Sequence, residues 1–189
     1  MTNSAYYHIV PYDCQNFYMH DFEIYVDIVG QLELHNLFLH DYPKEFVELG
    51  DMKLEIPIFP LNTDGVDIYG RNFTFRNVKI TNFDDAIVPK PSNKGHKYQC
   101  TEDILVENCE VTFGVGMTIG SVPPNDQHAC VRNVTFRDIV FNKPLKGIYV
   151  KTNPGNHGDG EIRNIVYENI VMDTPIWWAV YIGPQQQHQ

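Results

Sequence analysis

The chain has 189 residues, 43% of them hydrophobic and 20% charged, with a formal net charge of -10 and a pI near 5.1. This length suits one domain with an apolar core, and an acidic surface without a Lys/Arg run argues against a nucleic-acid partner. No apolar run reaches the roughly 18 residues of a membrane-spanning helix, so no membrane partner is expected.

In chain order, the opening MTNSAYYHIVPYD lacks a basic start followed by an apolar block and does not read as a signal peptide. CQNFYMHDFEIYVDI from Cys14 and QLELHNLFLHD from Gln31 read as strand-rich coils, and DYPKEFVELGDMKLEIPIFP from Asp41 as a longer excursion. A two-part phrase then repeats. RNFTFRNVKI, TEDILVENCEV, VRNVTFRDIVF and IRNIVYENIVM alternate β-branched or aromatic residues with polar ones, as strands do. Asn72, Asp103, Asn133 and Asn164 recur in them at intervals of 31, 30 and 31 residues. A short second strand follows each phrase: DDAIV, GMTIG, GIYVK and AVYIG. It aligns Ala86, Met117, Ile148 and Val180 at intervals of 31, 31 and 32. Residues 184–189 form a polar tail.

Short strands in register at a period near 30, with no helical stretch between them, form a solenoid signature. Leucine-rich and helical-pair repeats lack their marks here. A β-sandwich would suit the short strands but would not explain why both strands of each unit keep register. The expected fold is all-β, a parallel β-helix over residues 1–183 with regular repeats over 62–183. The Asn and Asp residues heading each phrase are turn residues bonding their own backbone, with stacking between coils a further possibility. The four cysteines fit no metal-binding spacing, and Cys100 and Cys109 are a candidate pair across a loop. Asn72 and Asn133 head glycosylation sequons that matter only in a secretory setting. Trp177 and Trp178 would cover the end of the stack, pack a loop or form a sugar platform; packing is the favoured use.

Asp64 lies in NTDGVDIYG, and Asp84 and Asp85 in FDDAIV, 20 residues on from Asp64. That interval is about one coil without its loop, so the three acids should meet on neighbouring coils. Crowded carboxylates repel, so one tends to keep its proton while another stays ionised. An inverting glycoside hydrolase needs such an acid and base, with carboxyl groups about 6.5–9.5 Å apart. The plainer reading is three turn-capping aspartates. Calcium is a lesser alternative; no metal motif supports it, and no metal or cofactor is expected.

Asn62-Thr63-Asp64-Gly65 and Asp84-Asp85 resemble signatures of the polygalacturonases, glycoside hydrolase family 28. Gly114-Val115-Gly116, the following MTIGS and Tyr149-Val150-Lys151 resemble two further motifs, and Asn3-Ser4 resembles the preceding coil. The resemblance implies a right-handed, single-stranded, pectin-lyase-like β-helix that hydrolyses α-1,4 galacturonan links with inversion. It implies Asp85 as the proton donor, Asp64 and Asp84 as the water-activating pair, and Asn62, Lys151 and Tyr149 as substrate-binding residues. It further implies an extracellular protein, monomeric if complete, acting on an acidic galacturonan-like polysaccharide of plant or algal cell walls. Two positions depart from the family: Val115 stands at its histidine and Tyr149 at its arginine, which leaves a non-catalytic polysaccharide-binding β-helix as the competing function. A purely structural solenoid and a calcium-dependent lyase rank lower. Lys90 and His96 are nearby basic residues that would compensate, although His96 and His157 read as exposed loop residues. The family normally carries more coils and a helical cap, so this chain is expected to be less stable than a longer parent.

Overall fold

The computed structural model describes residues 1–4, 6–27, 62–92, 95–123, 128–153 and 158–185. The anticipated coil from Gln31, the excursion from Asp41, His157 and residues 186–189 lie outside the described residues. Among the described residues, ten strands form two parallel sheets. The first contains β1 (Cys14–Tyr25), β3 (Gly70–Asn82), β5 (Cys100–Phe113), β7 (His128–Asn142) and β9 (Asp159–Asp173). The second contains β2 (Val66–Ile68), β4 (Ile87–Pro89), β6 (Met117–Val122), β8 (Lys146–Thr152) and β10 (Trp178–Pro184). Each coil contributes one long and one short strand, and consecutive coils hydrogen-bond side by side: a parallel β-helix, as expected.

The register explains the core. Phe73, Ile104, Val134 and Ile165 stack in one row, and Phe75, Val106, Phe136 and Tyr167 in the next. The Phe and Val members of both rows are buried, as is Ile104. In the second sheet Met117, Ile148 and Val180 align as anticipated, but Ile87 pairs with Met117 in place of Ala86, one residue earlier. Parallel register also stacks surface charges, and several of the stacked neighbours are of opposite sign. Arg132 Nε donates to Glu102 at 2.5 Å, Arg137 Nε to Glu107 at 2.8 Å, and Lys79 pairs with Glu110 at 3.5 Å.

The long strands bend at two left-handed residues five positions apart. Asn16, Asn72, Asp103, Asn133 and Asn164 have φ of 54–58°, and Asp21, Asn77, Asn108, Asp138 and Asn169 have φ of 53–57°. Asn and Asp tolerate this conformation better than other side-chain-bearing residues, and stacking adds bonds between coils. Asn164 Nδ2 donates to Asn133 Oδ1 at 3.0 Å, and Asn133 Nδ2 to Asp103 Oδ1 at 2.9 Å. Stacking, the second of the two readings of these residues, is therefore realised. Both sequon asparagines, Asn72 and Asn133, use their amides this way.

Several expectations need correction. Cys100 pairs with Cys130, its in-register neighbour on the adjacent coil, because their Cα atoms are 4.7 Å apart; Cys109 is free and buried. Pro184 closes β10, and the Gln185 amide donates to the Thr152 carbonyl at 2.7 Å. Trp177 and Trp178 are 59% and 40% exposed and not packed away.

The ladder yields a paired test. Asn133→Ala places a Cβ-bearing residue without a polar group at positive φ and should cost about 2–3 kcal/mol. Asn133→Gly keeps the backbone conformation, loses only the ladder bonds, and should cost about 1 kcal/mol less. Chemical denaturation of the three proteins measures the difference.

Candidate active site

The acids sit where two turns meet. Thr63 and Asp64 precede β2, and Asp84 and Asp85 precede β4 on the next coil. The Asn82 amide holds the turns together, donating to the carbonyls of Thr63, Asp84 and Asp85 at 3.0, 2.9 and 2.9 Å. The Phe83 amide donates to the Thr63 hydroxyl at 3.1 Å. The segment around Val115 supports this from below: its amide donates to the Asp84 carbonyl at 2.9 Å, and Ala86 donates to the Gly116 carbonyl at 2.9 Å. Gly116 has φ of +98°, and a Cβ there would collide with the Gly147 carbonyl. Glycine is needed for that close approach, whichever side chain stands between the two glycines.

One oxygen from each of Asp64, Asp84 and Asp85 lies within 4.8 Å of the others, so the three predicted acids do converge. They floor an open cleft of about 310 Å³, also lined by Tyr7, Asn62, Tyr69, Lys90, Ser121 and Lys151. Asp85 is 1% exposed; it accepts from Lys151 Nζ and from the Thr118 hydroxyl, each at 2.6 Å. Asp84 is half-buried and accepts from its neighbour's amide at 2.8 Å and from the Asn62 amide at 3.1 Å. Asn62 thus reaches the cleft and positions Asp84. Asp64 is 2% exposed and accepts from Lys90 Nζ at 3.3 Å. Its carbonyl accepts from the His8 backbone amide at 2.9 Å and lies 3.0 Å from His8 Nδ1, which docks the N-terminal segment against the floor.

These environments separate the acids. Burial, with the nearby charges of Asp85, Asp67 and Asp84, pushes the Asp64 carboxyl up to about 9. Burial and Asp85 also raise Asp84. Burial opposes ionisation of Asp85 too, but there Lys151, Lys90 and the Thr118 hydroxyl outweigh it and hold the carboxyl below its ordinary value. The oxygen cluster could interest a hard cation, yet two ammonium groups, at 2.6 Å from Asp85 and 3.3 Å from Asp64, already supply positive charge there.

Two sequence expectations change. Tyr149 is 3% exposed and does not line the cleft. Its ring lies 3.9 Å from Lys146 Nζ and 5.3 Å from Lys151 Nζ, so it supports cations and offers no sugar platform. The His96 side chain, 2% exposed, is not a free loop residue; it packs against Tyr12 and Tyr69 with ring centroids 4.3 and 5.4 Å away. The sequence reading did not single out Thr118, Tyr7, Tyr69, Ser121 or Asp67, a fourth acid, buried, three positions after Asp64 on β2. All three residues of that strand are buried, so alternation gave no hint of its orientation.

The raised Asp64 carboxyl has a consequence for stability. The folded chain keeps a proton that the unfolded chain, with an ordinary carboxylate near 3.9, releases. Its contribution therefore turns unfavourable as pH rises from about 4 towards 9. Asp64→Asn, which mimics the protonated acid, should melt above wild type, with a gap that is small at pH 5 and several degrees at pH 8. Calorimetry across that range checks it.

The profile of glycosyl hydrolases family 28 matches residues 1–183. An exopolygalacturonase of Arabidopsis thaliana is 34% identical over 131 residues, which cover 68% of this chain and 27% of the plant protein. A probable rhamnogalacturonase C of Aspergillus flavus is 29% identical over 110 residues, covering 58% of this chain and 21% of that one. The chain thus spans about a quarter of the length of these curated relatives. Among solved structures, the polygalacturonase from Erwinia carotovora superimposes with a TM-score of 0.67 over 97% of this chain and 40% of its own, at 23% identity, a likeness of fold. With the profile match running over nearly its whole length, the chain belongs to glycosyl hydrolases family 28.

Proposed function

We propose that the protein hydrolyses O-glycosidic bonds in pectin-type polysaccharide by inverting acid–base chemistry. The observation that carries this reading is the convergence of Asp64, Asp84 and Asp85 within 4.8 Å, in surroundings that favour a proton on some and a charge on another. Membership of the family and the names of the polygalacturonase and rhamnogalacturonase relatives support the substrate class. The disulfide between Cys100 and Cys130 supports an oxidising, extracellular setting.

The division of labour differs from the one the motifs imply. Asp85 has its oxygens engaged by Lys151 and Thr118, which favour its ionised form and suit a base that holds water. Asp84 is the half-buried acid with a raised carboxyl, and it is the better proton donor to a leaving oxygen. Asp64 shares the proton and helps hold the water, since closely coupled acids titrate as a set. Lys151 then acts chiefly on Asp85, and Asn62 presents Asp84. The short spacing of the acids favours one other reading: about 5–5.5 Å is the separation in retaining enzymes, which use a carboxylate nucleophile. The engagement of Asp85 by two donors argues against it in that role.

Release of reducing ends from polygalacturonate, rhamnogalacturonan and xylogalacturonan tests the activity. Asp84→Asn and Asp85→Asn should each lower turnover by about 10²–10⁴-fold. On an aryl glycoside, whose leaving group needs no proton, Asp84→Asn should recover most of its rate and Asp85→Asn should not. NMR of the first product should show the inverted anomer; the retained anomer would transfer the role of nucleophile to one of the acids. No release from any glycan by folded wild-type protein would favour a polysaccharide-binding β-helix.

A further inference from the structure

Lys90, on the loop that leaves β4, is the cation most shared by the cleft. Its ammonium lies 3.3 Å from Asp64, 3.2 Å from Asp67 and 3.9 Å from Asp85, and 5.4 Å from the centre of the Tyr7 ring. Its side chain is 17% exposed, against 3%, 0% and 1% for the three acids. Asp67 leans on it: its carboxyl is fully buried, its polar neighbours are Asp64 and Lys90, and among the described residues Lys90 is the cation within ion-pair distance. A buried carboxylate with no compensating charge is costly. Lys151, by contrast, is within ion-pair distance of Asp85 alone among the described acids.

We propose that Lys90 is a positioning residue which, by bridging Asp64, Asp67 and Asp85 across two coils, fixes how charge is distributed among the cleft acids. Asp67 is its anchor, an acid kept out of the reaction that holds the ammonium between Asp64 and Asp85. The titratable groups facing Lys90 are those three aspartates, Tyr7 from the N-terminal segment and Tyr69 after β2; Lys151 lies beyond Asp85. Removing the ammonium leaves the acids to repel one another, so each should hold its proton to higher pH. The ionised Asp85 that serves as base would then be available over a narrower range. This inference rests on the proposed hydrolase reading for its kinetic consequence, but not for its electrostatic one.

The test is a carboxyl ¹³C NMR titration of aspartate-labelled wild type, Lys90→Met and Lys90→Arg, with pH profiles of kcat/KM on the best glycan. In Lys90→Met at least two cleft carboxyls should titrate about one pH unit or more higher than in wild type. The acidic limb of kcat/KM should move up with them while KM changes less than kcat, and Lys90→Arg should restore both. If Lys90→Met does not fold, Lys90→Gln, which keeps a polar head group and removes only the charge, is read in the same way. Cleft titrations unchanged from wild type in the folded charge-removing variant, Lys90→Met or Lys90→Gln, would overturn the proposal. If the wild type hydrolyses nothing, the hydrolase reading fails, while the NMR titration still decides the role of Lys90.

Discussion

The hydrogen-bonded register between neighbouring parallel coils is the constraint on which the other features depend. Long strands are satisfied by the strands beside them, so side chains at equivalent positions of successive coils face one another directly. Apolar rows become a continuous core, and asparagine rows become ladders. Charged rows attract where signs alternate, as from Glu102 to Arg132 and from Glu107 to Arg137, and repel where they match, as from Arg132 to Arg163. The disulfide obeys the same rule, joining Cys100 to the residue opposite it and not to Cys109 on its own strand.

The same register creates the candidate site at an electrostatic cost. Bringing the turn before β2 beside the turn before β4 places Asp64 against Asp84 and Asp85, and β2 adds Asp67. Four acids with little exposure would not persist without compensation. Lys151 reaches Asp85 from β8, Lys90 reaches three acids from the loop after β4, and Thr118 adds a neutral donor from β6. The unequal sharing of these donors is what makes chemically similar carboxyls behave differently. Asp85 receives most and stays charged, whereas Asp64 receives less and keeps a proton.

Val115 and Tyr149 stand where the family resemblance implies a histidine and an arginine, and the turns beneath the cleft are carried by the backbone. Gly114 and Gly116 allow the close approach of coils, and the Val115 amide supports the Asp84 turn without help from its side chain. Tyr149 turns from a ligand candidate into a rest for the ammonium groups of Lys146 and Lys151. The positive charge of this site lies in its lysines.

The solenoid, its period, the long strands and the meeting of Asp64, Asp84 and Asp85 were legible in the residue spacing alone. Those features follow from spacing, and a fixed period translates directly into neighbours on adjacent coils. The ladder at Asn77, Asn108, Asp138 and Asn169 was equally available in the repeated phrase, five positions after the first. It took the three-dimensional arrangement to show that Cys100 takes Cys130, that Asp67 is buried beside Lys90, that Tyr149 is covered by its neighbours and set against two lysines, and that Asp85 is the acid held ionised. Each of these depends on the reach of a particular side chain, or on the balance of burial against a few charges ångströms away, and a repeat period carries no information about either.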